Sequence, residues 1–214
     1  ITINLAPADL PKHGGRFDLA IALGILAASG QLPADNLANY EFVGELALTG
    51  ELRGVTGVLS AALKSGVAKR PLIVARDNGN EAALAKHCTI FTAAHLLEVC
   101  AMLRGNAQLQ RCVTGECAPT CETADLADVH GQPIAKRALA LAAAGSHNIL
   151  LVGPPGSGKS MLACRLPGIL PPMSDDDAIE SAAIASVAKR RGLDHMFAQR
   201  PFRNPHHTAS AVAL

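Results

Sequence analysis

The chain opens with alternating apolar and polar positions, Ile1, Thr2, Ile3, Asn4 and Leu5, which predict a half-buried strand ended by the loop residues Pro7, Pro11 and Gly14-Gly15. An Ala- and Leu-rich run then extends from Asp18 to Ser29-Gly30, a helix that Asp18 would cap at its start and Gly30 at its end. Between Phe42 and Arg53 two short strand-like segments are joined at Thr49-Gly50, the pattern of a hairpin. A helix over 58–65, a buried β-branched strand over 71–75, a helix over 81–86 and a short strand over 89–92 follow. The last element of this part is a helix over 93–103 with Leu96, Leu97 and Cys100 on one face. Strands and helices alternate around one hairpin, so the first part reads as mixed α and β.

Periodicity then disappears. From Gly105 to about Thr123 the chain is rich in Asn, Gln, Thr, Gly and Pro and carries three Cys, the composition of a linker. Beyond it, 134–144 predicts an amphipathic helix closed by Gly145, and 148–152, apolar after Asn148, reads as a strand running into glycine. Ser174 followed by Asp175, Asp176 and Asp177 reads as an N-cap with carboxylates complementing the dipole of a helix toward Lys189, which explains the three acids without a metal. The expected division is a first domain over 1–105, a linker over 106–123 and a second domain over 124–214.

Composition narrows the class. A hydrophobic content of 49% in 214 residues supplies packed cores, while 3% aromatic residues and no Trp leave little for base-stacking platforms. Nineteen basic residues against eighteen acidic ones give a net charge of +1, so no global field points to nucleic acid or to an anionic membrane. No apolar run is long enough for a membrane span. No signal peptide opens the chain and residue 1 is Ile, so we expect it to start inside a domain of a cytoplasmic protein, with its six Cys as reduced thiols.

The chemistry concentrates at Gly153, Pro154, Pro155, Gly156, Ser157, Gly158, Lys159 and Ser160, which satisfy G-x-x-x-x-G-K-[ST] at every fixed position. Glycines let successive amides converge on phosphate oxygens, Lys159 supplies a mobile cation for the β and γ phosphates, and the Ser160 hydroxyl can ligate Mg²⁺. A strand before the loop and an apolar helix over 161–166, whose N-terminal end begins near Lys159, are the expected context. ATP with Mg²⁺ is the cofactor this pattern calls for.

One helix upstream, Asp128-Val129-His130-Gly131-Gln132 resembles the segment that lines the adenine pocket of AAA+ ATPases. The resemblance implies that the Val129, His130 and Gly131 backbone sits beside the base. Together with Ala135-Lys136-Arg137-Ala138-Leu139, Ala142 to Asn148 and Arg200-Pro201-Phe202-Arg203-x-Pro205-His206-His207, these residues resemble the ComM/YifB family of magnesium-chelatase-like AAA+ proteins of bacteria. The implied fold is α/β: an N-terminal Lon-protease-like α+β domain, then the start of a P-loop AAA+ three-layer α/β domain.

In the first domain, Val43-Gly44-Glu45-Leu46-x-Leu48-Thr49-Gly50-Glu51-Leu52-Arg53 carries the Lon-like resemblance, also shared with the recombination protein RadA/Sms. The protease needs a Ser and a Lys within reach of each other. Arg16 stands about where the Ser would be and Leu59 near the Lys position, so no peptidase is expected. Ser60, Lys64 and Ser65 read as solvent-facing. Lys12, His13, Arg16 and Arg53 read either as a solvated loop or as a basic surface contacting DNA phosphates.

Cys112, Cys117 and Cys121 lack the C-x2-C knuckle of common zinc sites, so free thiols are expected over a metal. His206-His207 reads as a surface turn or as a subunit-interface or pore-facing segment, and Arg200 and Arg203 as contacts to phosphate of a neighbour or of DNA. No apolar strand ending in Asp-Glu follows Ser160, so no Walker B acid and no catalytic residue is assigned. Residues 1–214 alone are expected to bind ATP weakly or not at all and to hydrolyse it negligibly. For the intact protein the resemblance implies a homo-hexameric, DNA-dependent motor for branch migration in recombination, away from membranes. The alternatives are an ATP-dependent insertase placing Mg²⁺ in a porphyrin, or a nucleotide-gated scaffold.

Overall fold

The structure is a computed structural model describing residues 2–3, 14–113, 124–188 and 197–205. Most of the strand expected at 1–5 lies outside the described residues, as do Lys12, His13, Cys117, Cys121, His206 and His207. By its internal contacts the chain divides into two units, Ile1–Ala118 with Ile179–Phe197, and Pro119–Ala178 with Ala198–Leu214.

The first unit is mixed α/β. It contains α1 (Asp18–Ala28), β1 (Glu41–Val43), the hairpin β2 (Glu45–Leu46) and β3 (Leu52–Arg53), α2 (Val58–Val67), β4 (Leu72–Ala75), α3 (Gly79–Ala83), β5 (Ile90–Ala93), α4 (Leu96–Leu103) and β6 (Gln110–Cys112). The four-stranded sheet runs β1-β4-β5-β6, parallel except for the antiparallel β5–β6 pair. Every residue of β4 is buried: Ile73 and Ala75 join a core with Leu19, Leu23, Val99 and Leu103, while Leu72 and Val74 join another with Val58, Leu59, Ala62 and Ala82. That two-sided burial is why its sequence is an unbroken apolar run rather than an alternating one.

Gly50, at the hairpin tip, has φ +90°, and a Cβ there would meet His95 Cε1 at 2.6 Å, so both backbone and packing require glycine. Leu52 N–H donates to Ala94 O at 2.8 Å and Leu96 N–H to Gly50 O at 2.9 Å, fastening the hairpin to the β5–α4 junction. His95 caps α4, its Nδ1 accepting from Leu97 N–H at 3.1 Å and its Nε2 lying 3.1 Å from Thr49 O. With Nδ1 as the acceptor, Nε2 carries the proton and donates to Thr49 O.

Several local expectations need correction. Gln110–Cys112, within the stretch read as patternless, forms β6 by backbone pairing with β5, which needs no side-chain alternation. Leu97 is 69% exposed, because α4 starts only at Leu96 and buries Val99, Cys100 and Leu103 instead. Asp18 makes no capping bond; it is the first residue of α1, and its carboxylate accepts from Leu46 N–H at 3.4 Å. Ser65 is buried, not solvent-facing, and its hydroxyl donates to Arg70 O at 2.7 Å, tying the end of α2 to the approach of β4.

The second unit holds a 3-10 turn at Leu126–Asp128, then α5 (Pro133–Gly145), α6 (Lys159–Ala163), α7 (Leu166–Ile169) and the first turn of α8 (Asp175–Val187). Pro133 at the first position suits a helix start, and Ser146 ends α5 at φ +52°. Ser174 Oγ accepts from Asp177 N–H at 3.2 Å, the cap read from the sequence. The rest of α8 belongs to the first unit, where Ala182 joins the α2–α3 core and the buried Ser186 hydroxyl donates to Glu81 Oε1.

The strand expected at 148–152 is not formed. Among the described residues nothing pairs with it, so Ile149 and Leu151 pack against the unit's core while Leu150 and Val152 stand 85% and 86% exposed. A strand exists only through a partner's ladder of hydrogen bonds, and one packed face does not supply it.

Candidate nucleotide site

The second unit is organised by a small core in which Val129, Leu139 and Leu162 are almost fully buried. Val129 belongs to the upstream segment and Leu162 to α6, so this shared core brings the two sequence motifs together. Val129 is covered as a whole residue, while His130 and Gly131 are exposed, Gly131 at φ +69° with open space where a Cβ would be.

The loop from Gly153 to Gly158 reverses through two left-handed glycines, Gly156 at φ +78° and Gly158 at φ +86°. Pro154 O accepts from Ser157 N–H at 3.3 Å, closing the turn around Pro155. Lys159 opens α6, and its ammonium folds back to donate to Gly153 O at 2.8 Å, Pro154 O at 2.7 Å and Ser157 Oγ at 3.3 Å. Ser160 follows, exposed, one residue into the helix. The expected apolar helix is shorter and broken: α6 ends at Ala163 and the chain restarts as α7 at Leu166.

Two residues to which the sequence pattern gives no role join the halves of this site. Gln132 caps α5 in the left-handed region, φ +51° and ψ +48°, and its Nε2 donates to Ser157 O at 3.4 Å. A Cβ on Gly158 would lie 3.2 Å from that same Nε2. Gln132 is visible as the last letter of the upstream motif, but nothing local marks its reach of 25 residues to the loop. Arg165, between α6 and α7, donates from Nε to Asp125 O and from Nη1 to Met161 O, both at 2.9 Å, with Asp128 Oδ2 3.7 Å from Nη2.

The other candidate residues lie elsewhere. Arg16 Nη2 donates to Thr56 O at 2.9 Å, and Leu59 is wholly buried in the first unit's core. Arg200 Nε donates to Pro171 O at 2.8 Å, while Phe202 and Arg203 are exposed. Among the described residues no cluster of His, Cys, Asp or Glu is arranged to hold a metal, and no helix is long and apolar enough to cross a membrane. Burial pushes the thiols of Cys88, Cys100 and Cys112 up from their ordinary range.

Residues 125–214 match the family described as magnesium chelatase, subunit ChlI, and residues 1–78 match that described as subunit ChlI of Mg-chelatase. Over the whole chain it is 55% identical to the uncharacterized protein YifB of Salmonella typhimurium, 53% to the competence protein ComM of Haemophilus influenzae and 51% to the YifB protein of Escherichia coli. The chain belongs to the ComM/YifB family of magnesium-chelatase-like proteins. It spans 42% of the length of both YifB relatives and 43% of ComM.

Proposed function

We propose that this chain carries the ATP site of an AAA+ ATPase, with Gly153 to Ser160 holding the phosphates and the Val129 to Gly131 backbone beside the base. The observation that carries this is the Lys159 ammonium, which is surrounded by three loop oxygens, the kind of acceptor that phosphate oxygens would replace. The left-handed turns at Gly156 and Gly158 suit a loop whose amides converge on an anion. Bound Mg²⁺ would neutralise phosphate charge, and the exposed Ser160 hydroxyl is the group to ligate it. Measuring ATP affinity and turnover of the intact protein with and without Lys159→Ala tests the reading; wild-type values in the variant would end it.

We read residues 1–105 as a Lon-like domain without a protease dyad, 106–123 as a linker whose Gln110–Cys112 adds an edge strand to the first unit's sheet, and 124–214 as the N-terminal part of the AAA+ domain. Where the family's protease would need a nucleophile and a base, this chain has a tethered Arg16 and a buried Leu59. For the intact protein we favour a cytoplasmic homo-hexamer acting on DNA as a branch-migration motor, supported by the 53% identity to a protein named for competence. The match to magnesium chelatase subunit ChlI supports the second reading, a magnesium-porphyrin insertase. Incubating the intact protein with ATP and a four-way DNA junction separates them: strand exchange supports the motor, and its absence with porphyrin metallation supports the insertase.

A further inference from the structure

We infer that Arg165 is the positioning residue of this nucleotide site, setting the separation between the base-side segment 125–131 and the phosphate loop. The inference rests on the ATP reading above and adds a residue to it. Arg165 is fixed at the break between α6 and α7, its own N–H donating to Leu162 O at 3.1 Å, and its side chain is 17% exposed. From there one edge of the guanidinium faces the upstream segment, Nε on Asp125 O at 2.9 Å and Nη2 near the Asp128 carboxylate, while Nη1 holds Met161 O at 2.9 Å. Met161 lies two residues after Lys159 in the same helix, so a single planar cation spans from the start of the base-side segment to the helix that carries the phosphate-binding lysine.

The dominant link is the pair of short bonds to carbonyls. The Asp128 carboxylate is 60% exposed and 3.7 Å away, a geometry in which an ion pair contributes little. Asp125 is itself held, its Oδ1 accepting from Ala127 N–H at 2.9 Å, so the carbonyl Arg165 grips belongs to a formed turn. Val129 buried against Leu162 fixes the middle of the segment, and Gln132 on Ser157 O fixes its far end. A lysine here would reach one of these acceptors as a point charge but could not serve both edges at once.

The test compares wild type, Arg165→Met and Arg165→Lys in the intact protein, measuring calorimetric Kd for Mg-ATP and for Mg-tripolyphosphate, with Tm as the folding control. Tripolyphosphate engages only the loop, so a positioning role predicts selective loss of the adenosine contribution. Arg165→Met is expected to raise the ATP Kd about tenfold, as lost charge-assisted bonds imply, with tripolyphosphate within about twofold of wild type. Arg165→Lys should fall between, which keeps the test decisive if the methionine variant does not fold. Equal weakening of both ligands in the variants, or an unchanged ratio of the two Kd values, overturns the inference while leaving the ATP site standing. A wild type that binds neither ligand overturns the ATP reading and this inference with it.

Discussion

The ammonium of Lys159 lies 2.7 Å from the carbonyl oxygen of Pro154, and the Gly153 carbonyl lies 2.8 Å away on the same nitrogen. The cation is thus satisfied by its own loop, and any phosphate must replace those carbonyls as its partner. Lys159→Gln tests this separation of roles, because a neutral amide can still donate to a carbonyl but offers no charge to a phosphate. We expect stability within about 1 kcal/mol of wild type by denaturation, and an ATP Kd raised at least about tenfold by calorimetry.

Gly158 combines φ +86° with a crowded side, where an added Cβ would lie 3.2 Å from Gln132 Nε2 and 3.4 Å from Met161 Cε. Gly158→Ala therefore meets both a backbone penalty of about 1 kcal/mol or more and crowding against the tether. A modest fall in Tm should accompany a several-fold weaker ATP affinity, and an alanine variant that binds as wild type would show that the loop tolerates this change.

Gln132 holds a left-handed conformation at φ +51°, a strained choice for a residue with a Cβ. Gln132→Gly relieves roughly 1 kcal/mol of that strain, offset by glycine's greater freedom in the unfolded chain and the loss of a long, exposed hydrogen bond. Stability is expected to stay within about 1 kcal/mol of wild type while the ATP Kd rises several-fold, a divergence that thermal melting and calorimetry on the same sample would reveal.

In the first unit Glu81 is an acceptor for three buried donors, Leu59 N–H at 3.3 Å and the Ser186 hydroxyl on Oε1 and Asn78 Nδ2 at 3.5 Å on Oε2. Glu81→Ala strands the Leu59 and Ser186 donors, while Asn78 Nδ2 keeps Val55 O at 2.9 Å, and is expected to cost about 2–3 kcal/mol by chemical denaturation, whereas Glu81→Gln keeps an acceptor oxygen and should cost less. Equal losses for the two substitutions would mean that the bonds are not what the carboxylate contributes.

Thiol reactivity should divide along burial. The raised thiols of Cys88, Cys100 and Cys112 give up little thiolate near neutral pH, while Cys164 is exposed. Alkylation followed by peptide mass spectrometry at pH 8 should therefore mark Cys164 before these three. The folded chain holds these protons more tightly than the unfolded one, so their contribution to stability is full below the ordinary thiol pKa and is lost as pH rises through the raised folded value. Raising the pH to 9 or 10 should lower Tm and narrow the gap in labelling rate.

What neighbouring residues dictate is legible in the amino-acid sequence by itself. Thr49-Gly50 marks a hairpin tip and Gly50 takes the positive φ such a turn asks for; Ser174 before three acids marks a helix start and caps it; the apolar run 71–75 marks β4, buried on both sides. The left-handed glycines of the loop over 153–158 are equally legible, since Gly156 and Gly158 answer a backbone requirement confined to a few bonds. The partners are not. Gln110–Cys112 becomes a strand through β5, Leu97 turns outward because α4 packs on Val99, Cys100 and Leu103, and 148–152 finds no ladder among the described residues. Arg165 carries no local mark, because its role depends on a carbonyl 40 positions earlier. Conformational preferences and alternation are short-range properties written in adjacent residues, whereas pairing, the face that is covered and the tethers across the site are decided only when distant segments meet.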